Sequence, residues 1–157
     1  MKINFISVGK DNDSYISSGI LHFTQRISHY YKADWRIIPP PKNSASLSAG
    51  VLKKKEAEAL LPGLEKNDYV VLLDETGQQL TSEKLAALIR LRTNDGIKRL
   101  VFIIGGAYGV DEEVKKRADF TWSLSSLTFP HQLVRLILAE QVYRACTIIK
   151  NEKYHHA

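Results

Sequence analysis

The chain contains a single cysteine, Cys146, among 157 residues. No internal disulfide can form and no cysteine-based metal cluster exists. That scarcity suits a reducing, cytoplasmic setting. Metal-ligand spacings such as H-E-x-x-H are missing, so no metal is expected. No apolar run approaches the length of a membrane span, so no membrane is expected as a partner. Residues 1–9, Met-Lys-Ile-Asn-Phe-Ile-Ser-Val-Gly, are too short for a signal peptide and read as a strand. The familiar nucleotide signatures are missing as well. Gly105-Gly106-Ala107-Tyr108-Gly109 does not fit G-x-G-x-x-G, and no P-loop lysine follows. Ser125 and Ser126 lack the glycine flanks of a hydrolase nucleophile elbow. No acid is spaced to orient His131 as the base of a serine nucleophile.

What remains is an ordinary globular composition, 44% hydrophobic and 25% charged. The length suits one domain over residues 1–157, with no repeat and no low-complexity tract. Lys and Arg number 22 against 17 Asp and Glu, a net charge of +5. The excess leans towards a nucleic-acid partner.

Periodicity predicts alternating strands and helices. Strands are expected over Lys2–Val8, 34–38, 69–73, Arg99–Ile104 and Phe120–Ser123. Helices are expected over 14–31, 51–61, 83–92, 111–118 and 132–150, with Ser82 capping the third. Asp74-Glu-Thr-Gly77 reads as a turn, and 42–48 as a polar connection. The alternation predicts an α/β protein, a mostly parallel sheet with helices on both faces. The last helix is apolar nearly all round, which a subunit interface would cover. On it, Glu140 and Arg144 stand i,i+4 with the acid first, the favourable order for a helical pair.

The last third carries the functional signal. Val101-Phe-Ile-Ile-Gly105-Gly106 is a buried strand running into a glycine turn. Trp122-Ser-Leu-Ser-Ser-Leu-Thr-Phe-Pro-His131 is a hydroxyl-rich loop that meets the last helix at Pro130. Free backbone N–H groups at such a junction hold polar ligands. Taken singly, each feature has a plainer use: glycines serve turns, Ser and Thr cap helices, and a Tyr154-His155-His156 tail frays into solvent.

Together and in this order they resemble the RlmH family, the bacterial 23S rRNA pseudouridine N3-methyltransferases of the SPOUT class. The likeness extends through Leu72-Leu73-Asp74, Leu133-Val-Arg135, Ala139-Glu140-Gln-Val-Tyr143-Arg144 and the terminal Tyr154-His155. It implies a C-terminal trefoil knot, which periodicity does not foretell. It implies S-adenosyl-L-methionine as methyl donor, with Leu73 at the adenosine, Gly105 and Gly106 lining the cleft, and Ser125, Ser126, Leu127, Thr128, Phe129 and Pro130 wrapping it. It implies a homodimer packed through the last helix, acting on 23S rRNA within the assembled ribosome. His131, Glu140, Arg144, Tyr154 and His155 are the implied catalytic cluster, and the tail would order only when RNA is present.

The implied chemistry is one displacement, N3 of the base on the sulfonium methyl. An imide nitrogen attacks only as its proton leaves. His155 or His131 would help, or the site would act by alignment alone. One departure stands out: the family tail reads Tyr-His-Arg, whereas this chain reads Tyr154-His155-His156, a titratable group for a permanent charge. A different SPOUT enzyme acting on tRNA, or a ribosome-binding module without activity, are the other readings of the same residues.

Overall fold

Alternation with a period of two decides the architecture. The computed structural model describes residues 1–157. Its five strands are β1 (Lys2–Val8), β2 (Lys32–Ile38), β3 (Tyr69–Gln79), β4 (Arg99–Ile104) and β5 (Phe120–Ser123). They form one sheet in the order β2-β1-β4-β3-β5, with every neighbouring pair parallel. Ile3, Phe5, Val71, Leu100, Phe102 and Ile104 point to one face. Ile6, Val8, Val70, Leu72, Val101 and Ile103 point to the other. A sheet apolar on both faces needs helices on both.

Helices α1 (Ser14–Ile27), α3 (Ser82–Asn94) and α5 (His131–Ile149) cover the first face. Helices α2 (Ala49–Leu60) and α4 (Glu112–Arg117) cover the second. On the first face Phe5 stacks between Trp35 at 4.5 Å and Phe102 at 5.7 Å, measured between ring centroids. Each fully buried side chain of this kind contributes about 1.5–3 kcal/mol.

The expected boundaries need four corrections. The first helix ends at Ile27, not residue 31, because Ser28 to Tyr31 close a turn with main-chain bonds back to Ile27. The second strand begins at Lys32, in register with Lys2. The supposed turn at 74–77 belongs to β3, which shifts register and pairs again through Gln78 and Gln79 with Trp122 and Ser123. Gly77 is needed there because a Cβ would lie 2.6 Å from the Thr121 carbonyl carbon. The cap of α3 is Thr81 rather than Ser82: its hydroxyl accepts from the Lys84 N–H at 3.2 Å.

Helix α5 lies between α1 and α3. Its own chain therefore buries Leu138, Val142, Ala145 and Cys146. Much of the apolar circumference assigned to a second subunit is covered internally. Leu133, Leu136 and Ile137 remain partly exposed.

Two strand pairs place the ligand sites. After β1 the chain moves outward to β2, and after β4 it moves the other way to β5. Loops therefore diverge at the C-terminal ends of β1 and β4, and a crevice opens at that switch point.

Candidate functional site

The loops that leave β3, β4 and β5 enclose a cavity of about 500 Å³. Leu73 closes it from β3, and Gly105 and Gly106 from β4. Ser125, Leu127, Thr128 and Phe129 come from the loop before α5, and His131 from the first turn of that helix. Eight of the sequence-derived site residues thus share one cavity. Two expected neighbours do not line it. Ser126 turns its hydroxyl to Gln79, whose Nε2 donates at 3.0 Å. Pro130 caps α5 and faces a second cavity.

The loop is held by its own hydroxyls. Ser125 Oγ accepts from the Leu127 N–H at 3.0 Å, and Ser123 Oγ donates to the Ser125 carbonyl at 3.3 Å. Leu127 spends its N–H inside the loop, while the N–H groups of Ser125, Ser126, Thr128 and Phe129 donate to no protein acceptor and are free for a ligand.

Packing within the chain leaves no room for a side chain at either glycine. A Cβ on Gly105 would meet Val110 and stand 3.3 Å from the Gly109 carbonyl oxygen. A Cβ on Gly106 would strike the carboxylate of Glu56, 2.6 Å from Oε1. Both sites are tight against the chain itself, not only against a bound molecule.

The second cavity, of about 700 Å³, opens at the β1–β4 switch point. It shares Gly106, Ala107 and His131 with the first. Glu56 and Arg135 also line it. Arg135 is 1% exposed, and Nε donates to Ser7 Oγ at 2.7 Å. Its Nη1 donates to the Lys10 carbonyl at 2.8 Å and Asn12 Oδ1 at 2.7 Å. None of these acceptors is a carboxylate, and Nη2 has no protein acceptor. His131 Nδ1 is buried and unpartnered. Burial, then the Arg135 charge, pushes the His131 pKa below its ordinary value, so the ring is neutral at neutral pH.

The remaining predicted residues form a separate cluster. Arg144 Nη2 donates to Glu140 Oε1, which also accepts from the Tyr154 hydroxyl at 3.1 Å. The Arg144 guanidinium lies 4.8 Å from the Tyr154 ring centroid. His155 bridges Arg144 at 3.3 Å and Glu83 at 2.9 Å. Tyr154 also packs edge-on against Tyr143, at 4.7 Å between centroids. The tail was expected to order only with RNA; it is docked on its own chain, because an aromatic ring and two charge-assisted contacts hold it. Glu140 is nine residues past His131, roughly 13 Å along the helix axis.

Glu56 was not foreseen. The signal lay in the helix pattern: Leu52, Glu56 and Leu60 occupy one stripe, where a carboxylate is out of place. Cys146 has no role at the site; burial pushes its thiol up to about 12, which leaves it unreactive. No group of three or more His, Cys, Asp or Glu side chains converges as a metal site. No helix is long and apolar enough to cross a membrane.

Comparison with known proteins gives this geometry a context. Residues 1–155 match the family described as Predicted SPOUT methyltransferase. A protein of Christiangramia forsetii named ribosomal RNA large subunit methyltransferase H is 47% identical over 156 residues, covering 99% of each chain. Its namesake from Cytophaga hutchinsonii is 45% identical over 99% of this chain and 100% of its own. Among solved structures, the tRNA (m1G37) methyltransferase of Aquifex aeolicus superposes with a TM-score of 0.53 at 18% identity, covering 100% of this chain and 76% of that one. A probable methyltransferase from Bordetella pertussis gives 0.55 at 12% identity, covering 92% and 94%. At such identities the structural likeness speaks for the fold alone.

Proposed function

The chain belongs to the SPOUT methyltransferase family, and from that membership we propose that it transfers a methyl group from S-adenosyl-L-methionine to N3 of a pseudouridine in 23S rRNA of the large ribosomal subunit. The observation that carries this reading is the 500 Å³ cavity at the ends of β3, β4 and β5, lined by the residues the family resemblance singled out. Full-length likeness to proteins named ribosomal RNA large subunit methyltransferase H supports the substrate.

The cavity suits the methyl donor on this chain's own features. Its volume is that of a nucleoside-sized ligand site. Gly105 and Gly106 let the main chain come close. The unbonded amides of Ser125, Ser126, Thr128 and Phe129 would hold the adenosine part of the donor, together with Leu73. When bound, the donor supplies an electrophilic methyl group on a sulfonium centre. The chain supplies position: His131, in the lining that the two cavities share, stands neutral and able to accept a proton directly or through water.

The enzyme acts as a homodimer in the cytoplasm, where its ribosomal substrate is. Two observations support the dimer. Leu133, Leu136 and Ile137 on α5 stay partly exposed, and Leu21 on α1 is 57% exposed. The cluster of Glu140, Arg144, Tyr154 and His155 lies too far along α5 to meet the cavity of its own chain. A second copy packed two-fold on α5 would supply its tail cluster to that cavity. The C-terminal part is a trefoil knot. Its support is the path: β5 is the sheet edge, yet the chain returns after it to lay α5 inward between α1 and α3, as a threaded C-terminal part requires.

The test is mass spectrometry of 23S rRNA from ribosomes of a deletion strain, incubated with the purified chain and S-adenosyl-L-methionine. One methyl group gained on a pseudouridine is expected. No gain, with methylation of tRNA instead, would sink the reading. Sedimentation at micromolar concentration should give a dimer that Leu136→Glu converts to monomer.

A further inference from the structure

The second cavity has no assigned occupant, and its polar groups are incomplete. Glu56 is 9% exposed, and no hydrogen bond to protein or nearby cation stabilises its charge; burial alone acts on it and raises its pKa. Arg135 is a buried cation that bonds no carboxylate, with Nη2 left over; Asp11 acts on its charge only through space. The two line the same space and do not pair with each other. A buried carboxyl without a hydrogen bond and a buried guanidinium without a bonded counter-ion each cost stability. Their persistence points to a ligand that completes both.

The position narrows that ligand. The cavity adjoins the donor cavity, and Gly106, Ala107 and His131 form the wall between them. The Glu56 carboxylate lies against Gly106, at that wall. A methyl group passes only between sites that touch, so the neighbour of the donor site is the acceptor site. A volume of about 700 Å³ accommodates a flipped-out nucleotide. A uracil-type base presents an N–H donor between two carbonyl acceptors. A carboxylate and a guanidinium are the complement of that edge.

We propose that this cavity receives the target pyrimidine, with Arg135 Nη2 donating to a base carbonyl and the Glu56 carboxylate taking the N3 proton. The inference rests on the methyltransferase reading above. In the step, the N3–H bond breaks and its proton passes to a Glu56 oxygen. The electron pair on N3 forms the bond to the methyl carbon, and the carbon–sulfur bond breaks with its pair retained by sulfur. Glu56 then releases the proton to solvent. A raised pKa makes the carboxylate a stronger base than an exposed glutamate. Other charged or titratable groups surround it. Lys10, Asp13, Tyr15, His131 and Arg135 face the cavity. Lys53 and Asp111 line the small space beneath it.

The experiment is single-turnover methylation of unmodified ribosomes by the wild type, Glu56→Gln and Glu56→Asp, across pH, with donor affinity measured by calorimetry on the same proteins. Glu56→Gln should slow the reaction by about 100-fold or more and remove the rise of rate with pH, the scale of general-base loss. Donor affinity should stay within about two-fold. Glu56→Asp, which keeps a carboxylate on a shorter arm, should be slower than wild type but keep the rise with pH. Three results would overturn the proposal: a Glu56→Gln rate near wild type, a rate loss matched by an equal loss of donor affinity, or an unchanged pH profile in a slowed Glu56→Gln. A wild type that binds donor but leaves 23S rRNA unmethylated would instead sink the underlying function, and this inference with it.

Discussion

The two ends of the sheet treat buried charge in opposite ways. At the N-terminal ends of β3 and β4, Asp68, with its side chain 2% exposed, receives Arg99 through two nitrogens. Arg99 also donates to the Gly63 carbonyl at 2.7 Å, and Arg117 donates to the Glu65 and Asp68 carbonyls. Asp119 accepts from the Val70 N–H at 2.7 Å and pairs with Arg117. Every strong polar group there has a partner from the same chain. At the C-terminal ends of β1 and β4, Glu56 has none, Arg135 bonds no carboxylate, and His131 Nδ1 is orphaned. A closed network serves the fold, while an open one stores interactions for a ligand.

Substitutions at the two ends should separate these roles. Arg99→Met leaves Asp68 buried without its cation and should cost about 3 kcal/mol. That lowers the thermal midpoint by about 6–12 °C, while donor affinity at a temperature where the variant is folded stays unchanged. A loss of affinity would mean the closed end also serves the site. Gly106→Ala should cost about 1–3 kcal/mol by overpacking against Glu56, and much less in a Glu56→Ala background. Additive costs in that double-mutant cycle, measured by urea unfolding, would show that the glycine and the carboxylate do not meet.

Glu56→Gln should do the reverse and stabilise the fold by about 1 kcal/mol near neutral pH, as when a buried charge is removed. The sign follows from linkage. The folded pKa is raised, so the ionised group opposes folding above its ordinary range. The stabilising effect of Gln should vanish as pH falls through about 4, where the carboxyl is protonated in both states. An equal gain at both pH values would mean that Glu56 is not a charge held in a poor environment. The smallest effect belongs to the docked tail. Glu83→Gln breaks an exposed pair with His155 and should leave the unfolding midpoint unmoved. A clear shift would make the tail part of the cooperative fold.

The legibility of the chain follows the same division. Strands β1, β4 and β5 are bounded as their apolar runs suggest, because packing on two faces leaves few alternatives. That Leu73, Gly105, Gly106, Ser125, Leu127, Thr128, Phe129 and His131 would come together was readable through the order of their motifs. The end of β3 was not. Gly77 resembles a turn residue, and only the close passage of Thr121 makes it part of a strand. The docking of the tail on α3 was not legible, because Glu83 lies 72 residues before its partner His155. How much of α5 its own chain covers was not legible, because α1 and α3 both reach it, which helix periodicity alone does not reveal. Glu56 escaped notice among lysines, although its place on the Leu52–Leu60 stripe marked it.

The most direct test of the open end as the functional end is a titration of the isotopically labelled protein with S-adenosyl-L-methionine, followed by backbone amide shifts. The largest changes should fall in residues 73–76, 105–110 and 124–131, around the cavity that joins β3, β4 and β5. Residues 63–68 and 117–119, the closed end, should stay still. Shifts concentrated at the closed end, or no shifts at all at millimolar ligand, would contradict the assignment of donor site and function together.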